Sequence, residues 1–168
     1  MKFQLFDIGV TTPSDWRIRI TEKSTYQSGR MAIISPKKLY IAIQWQPIDA
    51  LKKIKEATEE EATLILKDYI DEVFGNTKDK KIKDLKILEN TGHTEGDHEF
   101  RFIRVSFVYK KFLNPPKPQQ YMGYLILCKR INRLIGAFTN FPVEAVDEDI
   151  SYLEGPLRSV VCNCTKNF

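Results

Sequence analysis

The turn and strand that organise this chain lie just past its midpoint and read Thr91-Gly92-His93-Thr94-Glu95-Gly96-Asp97-His98-Glu99-Phe100-Arg101-Phe102-Ile103-Arg104-Val105-Ser106-Phe107-Val108-Tyr109. The first part holds both histidines of the protein, and its two glycines suit turn positions with positive φ. The second part is the longest β-like run in the chain. Its apolar residues change face between Phe102 and Ile103, which predicts either a β-bulge or a strand covered on both sides.

Alternating apolar residues predict further strands on both sides of this stretch. Before it, residues 16–20 and 39–46 alternate between apolar and polar side chains, and Pro47 ends the second run. Between them, residues 31–35 form a short and almost wholly apolar strand. Short turns separate these segments, so they are expected to form an antiparallel β-meander. After it, residues 121–128 and 134–141 are apolar on both faces, which is typical of central strands.

Two helices are expected beside the sheet. Thr58-Glu59-Glu60-Glu61 has the pattern of a capping box and predicts a central helix at about 59–74. A second amphipathic helix is predicted at about 146–162, with a kink or break at Gly155-Pro156. The predicted fold class is α+β, with an antiparallel β-sheet of about six to seven strands in a single domain over residues 1–168.

The composition is that of a soluble globular protein. Of its 168 residues, 42% are hydrophobic and 29% are charged, and the net charge is +4. This basic excess is small and spread along the chain, so it permits an acidic partner without requiring one. The N-terminus lacks the apolar segment of a signal peptide, and no apolar run reaches the roughly 18 residues of a membrane span. Three cysteines fit a reducing compartment, so a cytoplasmic protein without membrane association is expected.

The histidine turn is the first candidate for chemistry. His93, Asp97 and His98 offer two imidazoles and a carboxylate, which are ligand types of catalytic zinc or iron centres. An alternative function is therefore a small-molecule-binding or metal-dependent enzyme centred on His93 and His98. The spacing matches no helical metal motif, so a polar loop is the favoured interpretation and no cofactor is expected.

A second metal hypothesis uses the cysteines. Cys162 and Cys164 are separated by one residue, and together with Cys128 and a histidine they could complete a four-ligand zinc site. That arrangement requires the fold to bring Cys128 to the C-terminus. Reduced thiols, with Cys128 buried in a strand, are the favoured interpretation.

Signatures of other functions are absent or incomplete. The chain has no Gly-x-Ser-x-Gly nucleophile elbow and no glycine-rich phosphate loop. Residues 101–112 interleave aromatic and basic side chains, as RNA-binding strands do, and so nucleic-acid binding is kept as a further alternative. Large aromatics in a central strand are more often part of a core, so nucleic acid is not the expected partner.

The layout of short motifs resembles the PsbP-like superfamily, which includes photosystem extrinsic subunits, a Ran-binding nuclear import factor and many prokaryotic proteins. The matching pieces are Pro13-Ser14-Asp15-Trp16, Gln44-Trp45-Gln46-Pro47, Thr58-Glu59-Glu60-Glu61, Gly92-His93 and Leu157 to Val161. The resemblance implies an antiparallel sheet flanked by helices. It also implies a non-enzymatic binding or assembly module, and it carries over no functional residue.

The leading functional hypothesis is therefore a module that binds another protein through a sheet face or a loop edge. Trp16, Trp45 and Tyr109 are the candidate partner-binding residues. This hypothesis predicts an exposed aromatic or apolar patch around them.

Overall fold

The computed structural model describes residues 1–48, 82–109, 115–143 and 147–164. In these ranges the strands are β1 (Lys2–Leu5), β2 (Ile8–Thr11), β3 (Arg17–Ile20), β4 (Gly29–Ile34), β5 (Tyr40–Pro47), β6 (Ile82–Glu95), β7 (His98–Tyr109), β8 (Lys117–Cys128), β9 (Arg133–Pro142) and β10 (Val161–Cys162). They also include one helix, α1 (Asp147–Arg158). The predicted central helix at about 59–74 lies outside the described residues. Within the described part, no helix is long and apolar enough to cross a membrane.

Seven strands form one antiparallel sheet in the order β3-β4-β5-β9-β8-β7-β6. The prediction of an antiparallel sheet of about six to seven strands is confirmed for this sheet, as is the meander of β3, β4 and β5. Strand β9 pairs with β5 and follows β8 in the chain, so β8 and β9 occupy the centre. Among the described strands, this order leaves β6 at one edge of the sheet and β3 at the other.

A second sheet of three strands, in the order β1-β2-β10, is not anticipated by the sequence patterns. Strands β1 and β2 are joined by a two-residue turn in which Phe6 and Asp7 both have positive φ, at 50° and 64°. Positive φ at both positions matches the right-handed twist of the two strands. Strand β10 adds to the free side of β2, where Cys162 lies opposite Ile8.

The C-terminal helix is shorter than predicted. It continues through Pro156 but ends at Arg158. Pro156 has no backbone N–H for a helical hydrogen bond, and the turn after it is tight. The Ser159 amide donates to the Pro156 carbonyl at 3.2 Å, and the Val160 amide donates to the Leu157 carbonyl at 3.4 Å. The chain then extends into β10, so the prediction of a helix reaching residue 162 is wrong.

Apolar residues of the seven-stranded sheet are buried on both of its faces. The larger core includes residues of β2 and α1, and Cys162 of β10 packs against it. Its buried members are Ile8, Val10, Trp16, Met31, Ile33, Ile41, Ile43, Trp45, Phe102, Met122, Ile126, Ile135, Ala137, Phe141, Ile150, Leu153, Leu157 and Val160. The other core contains Ile103, Val105, Phe107, Tyr121, Leu125 and Leu134.

The change of apolar face between Phe102 and Ile103 is explained by these two cores. Phe102 belongs to the larger core and Ile103 to the other one. Strand β7 pairs with β8 from His98 to Tyr109 without a register shift, so no bulge lies between the two residues on that side. Of the two predicted alternatives, the strand covered on both sides is confirmed.

The histidine turn is a two-residue β-hairpin connection between β6 and β7. Gly96 has a φ of 57°, as predicted for a turn glycine. Gly92 instead lies within β6, opposite Arg101, so the prediction that it is a turn residue is wrong. The chain therefore turns at Gly96-Asp97 and places Glu95 opposite His98.

A glycine-to-alanine substitution in the turn between β6 and β7 is expected to destabilise the protein. A Cβ at Gly96 would meet no atom within 4 Å, so packing does not decide the outcome. Gly96→Ala forces alanine into a left-handed conformation, which should cost about 1 kcal/mol. Urea unfolding of the variant checks this, and an unchanged or increased unfolding free energy would contradict it.

Candidate functional site

Trp16 and Trp45, two candidate partner-binding residues, are only 3% and 2% exposed. The Trp16 indole Nε1 donates to the Tyr152 hydroxyl at 2.7 Å, and the Trp45 Nε1 donates to the Thr25 carbonyl at 2.9 Å. Both rings therefore contribute packing and a satisfied hydrogen bond to the larger core. The prediction that Trp16 and Trp45 lie in an exposed aromatic or apolar patch is therefore wrong. Tyr109 ends β7, and its side chain lies outside the described residues.

The histidine turn does not gather its own predicted ligands into one group. The exposed His93 ring stacks on Phe100 with a centroid separation of 4.7 Å, and Asp97 is exposed in the turn. His98 is only partly exposed. The structure brings His98, without His93 and Asp97, into a group of potential metal ligands.

The partners of His98 are the three cysteines, and we call His98, Cys128, Cys162 and Cys164 the Cys–His cluster. His98 begins β7 and Cys128 ends β8, and the two residues are directly opposite each other in the antiparallel pair. Cys162 ends β10, and Cys164 follows two residues later. The hypothesis of a zinc site with three cysteines required Cys128 to lie near Cys162 and Cys164, and the structure places it there.

The ligand atoms of the Cys–His cluster all lie within 4.8 Å of one another. The Cys128 thiol donates to Sγ of Cys164 at 3.3 Å, and Nε2 of His98 lies 3.2 Å from Sγ of Cys164. All three cysteines are free thiols. Among the described ranges of the chain, this is the one set of three or more such side chains close enough to share an ion.

Burial and mutual proximity raise the pKa values of two of these thiols, those of Cys162 and Cys164. Burial, followed by the charge of Cys128, raises the pKa of Cys162. Burial, followed by the hydrogen bond with Cys128, raises the pKa of Cys164, and the positive charge of Arg130 opposes that shift. Cys162 and Cys164 therefore favour either their neutral forms or a nearby positive ion.

A buried arginine beside the Cys–His cluster connects distant parts of the chain by hydrogen bonds. Arg133 begins β9 directly opposite Cys128 and is almost fully buried. Its guanidinium donates to the Phe6 carbonyl and, at 2.6 Å, to the Tyr26 carbonyl. It also lies 4.2 Å from the centre of the Tyr26 ring. The β1–β2 turn is thus attached to the same end of β8 and β9 that carries Cys128.

A separate surface feature lies on the edge strand β6. Leu85, Ile87 and Leu88 are 42%, 60% and 51% exposed, and we call them the β6 apolar patch. Pairing with β7 is interrupted by register shifts between Lys83 and Lys86 and between Ile87 and Glu89. The patch therefore lies on a bulged strand at the outer edge of the sheet.

Two large aromatic residues of β7 lie inside the protein, and two of its arginines bond to neighbouring side chains. Phe102 and Phe107 are buried in the two cores. The Arg101 guanidinium donates to the Asn90 side chain at 3.1 Å, and that of Arg104 donates to the Gln120 side chain at 2.9 Å. The interpretation of these aromatics as core residues is confirmed.

Comparison with known proteins identifies the fold. No protein-family profile and no curated protein sequence matches the chain. The solved structure of the cyanobacterial PsbP protein CyanoP from Synechocystis sp. PCC 6803 matches with a TM-score of 0.67 and 8% identity, covering 96% of this chain and 91% of that one. The Ran-binding protein Mog1p from Saccharomyces cerevisiae matches with a TM-score of 0.61 and 10% identity, covering 96% and 94%. The chain therefore has the PsbP-like fold that its motifs resemble.

Proposed function

We propose that this PsbP-like protein is a non-enzymatic binding module that contacts another protein through the β6 apolar patch. The observation that carries the proposal is the exposure of Leu85, Ile87 and Leu88 within four residues of one edge strand. Full burial of a leucine or isoleucine side chain contributes about 1.5–3 kcal/mol, and these three side chains forgo the part of it that corresponds to their exposed surface. Exposed apolar side chains grouped in this way are characteristic of interaction sites.

The bulges of β6 indicate how a partner would make this contact. Register shifts on either side of Ile87 distort the strand, and distorted edges are poor templates for adding another strand. Lys83 and Lys86 further discourage strand addition from that part of the edge. We therefore expect the partner to cover the apolar side chains of the patch, with Lys83, Lys86 and Glu89 at a polar rim.

The similarity to Mog1p supports a protein-binding role for this scaffold. Mog1p is described as Ran-binding, so at least one protein with this fold binds another protein. Sequence identity of 10% transfers no partner. We place the protein in the cytoplasm, since a reducing compartment would preserve its three free thiols.

A charge introduced into the β6 apolar patch is expected to abolish partner binding. The test compares wild type with Ile87→Asp and with Ile20→Asp, each immobilised and exposed to extract of the source cells. Ile20 is a matched control because it is also exposed (41%) and lies on the opposite edge strand, β3. Quantitative mass spectrometry should identify a protein retained by wild type and Ile20→Asp and depleted at least tenfold with Ile87→Asp.

Both substitutions replace exposed side chains, so circular dichroism should show the native fold in each variant. Equal recovery of every retained protein by wild type and Ile87→Asp would contradict the proposal. Loss of the partner with Ile20→Asp as well would also contradict it, because the contact would then not be specific to β6.

A further inference from the structure

We infer that the Cys–His cluster binds a single zinc ion through three cysteine thiolates and one histidine, and that this ion fastens the two sheets of the protein to each other. The ligands come from three separate parts of the chain. His98 lies 66 residues from Cys164, and Cys128 lies 36 residues from it. Only the folded chain assembles this set.

The distances fit one tetrahedral ion. Zinc–sulfur bonds of about 2.3 Å and zinc–nitrogen bonds of about 2.0–2.1 Å at tetrahedral angles separate two sulfurs by about 3.8 Å and a sulfur from a nitrogen by about 3.5 Å. The observed Cys128–Cys164 separation is 3.3 Å and the Cys164–His98 separation is 3.2 Å, so a slight opening of the cluster accommodates the ion. The remaining pairs of ligand atoms lie within 4.8 Å.

The ligand types select zinc over the common hard cations. Thiolates are soft ligands that favour zinc, whereas magnesium and calcium favour oxygen ligands. Three cysteines and one histidine are an established set for structural zinc. A cluster with several metal atoms would require wider spacing of the ligand atoms than 4.8 Å.

The number of protein ligands indicates a structural ion with no open position. Cys128 and Cys164 are buried, at 0% and 8% exposed, and Cys162 and His98 are half-buried. Four protein ligands complete the coordination of a structural zinc ion, whereas a catalytic zinc keeps one position for water or substrate. The charge of the ion would stabilise the thiolate forms that coordinate it.

The position of the cluster defines what the ion holds together. Cys162 belongs to β10 of the three-stranded sheet, whereas His98 and Cys128 belong to β7 and β8 of the seven-stranded sheet. Strand β10 pairs with β2 at only two positions, so these pairings alone give it limited support. A bound ion would hold the C-terminal segment, and through β2 the whole smaller sheet, against the central strands.

The experiment measures metal in the full-length protein, purified under reducing conditions and then loaded with Zn²⁺ or Co²⁺. We expect one zinc per chain by elemental analysis, and with Co²⁺ the thiolate charge-transfer and intense d–d absorption of a tetrahedral site. Cys164→Ser and His98→Ala should each weaken metal binding at least tenfold. His93→Ala and Asp97→Asn are matched controls from the same hairpin and should bind metal as wild type does.

Wild-type titration with Co²⁺ keeps the test decisive even if a ligand variant fails to fold. Reduced wild-type protein that binds neither Zn²⁺ nor Co²⁺ would overturn the inference. Loss of metal with His93→Ala or Asp97→Asn, together with retention in Cys164→Ser, would also overturn it, because the ion would then belong to the hairpin turn.

Discussion

Removal of zinc is expected to lower the thermal unfolding temperature of the protein by about 8–16 °C. A ligand that binds only the native state stabilises it by about 4 kcal/mol when its free concentration is about 1,000 times its Kd. For a chain of this size, each kcal/mol changes the unfolding temperature by about 2–4 °C. The Cys–His cluster joins segments that are distant in sequence, so its ligands are not held together in the unfolded chain.

Differential scanning calorimetry of zinc-loaded wild type, with and without a strong chelator, measures this effect. Cys164→Ser should unfold near the temperature of chelated wild type and should respond little to the chelator. His93→Ala should respond to the chelator as wild type does, because His93 lies outside the cluster. An unfolding temperature of zinc-loaded wild type that the chelator does not change would contradict the stabilising role of the ion.

Replacement of the buried Arg133 by leucine is expected to cost about 3–6 kcal/mol of unfolding free energy, since it removes two hydrogen bonds from a charged group that contribute about 1.5–3 kcal/mol each. The guanidinium donates to the Phe6 and Tyr26 carbonyls, and leucine would leave both without this donor. It would also remove the contact of the Arg133 guanidinium with the Tyr26 ring.

Arg19→Leu provides the matched control for Arg133→Leu. Arg19 is exposed on the edge strand β3, so its replacement should change the unfolding free energy by less than about 0.5 kcal/mol. Arg133→Lys should recover part of the loss, because lysine keeps the charge but lacks the planar donor geometry. Urea unfolding measures all three variants, and similar small effects at positions 19 and 133 would contradict the role given to Arg133.

Local patterns were sufficient to predict where most strands of the larger sheet lie, although β8 begins at Lys117, before the predicted segment 121–128, and β6 continues to Glu95, into the predicted turn. Alternation along residues 16–20 and 39–46 reflects side chains that point in turn to the core and away from it, and each strand carries that information itself. The double-sided pattern at Phe102 and Ile103 likewise reports burial on both faces. Such features require no knowledge of which strand lies next to which.

The smaller sheet and the end of α1 could not be predicted in the same way. Strand β10 has only two residues, and apolar residues at 157, 160 and 161 also fit the spacing of a helix. Its conformation is decided by pairing with β2, about 150 positions earlier in the chain. Tertiary pairing here overrides the local pattern.

The sequence indicated the possible ligands of the Cys–His cluster, but it did not indicate which of them the fold brings together. The two cysteines near the C-terminus and Cys128 formed a possible ligand set, yet the choice between His93 and His98 depended on the register of the β6–β7 hairpin. That register places His98 opposite Cys128 and His93 opposite Phe100. Sequence spacing alone favoured the two histidines as partners of each other, since they lie five residues apart.

X-ray absorption spectroscopy at the zinc edge, on reduced full-length protein loaded with one equivalent of zinc, tests the central claim most directly. The Cys–His cluster predicts a first coordination shell of three sulfur atoms at about 2.3 Å and one nitrogen at about 2.0–2.1 Å. A shell composed only of nitrogen and oxygen, which His93, Asp97 and His98 would supply, would contradict it.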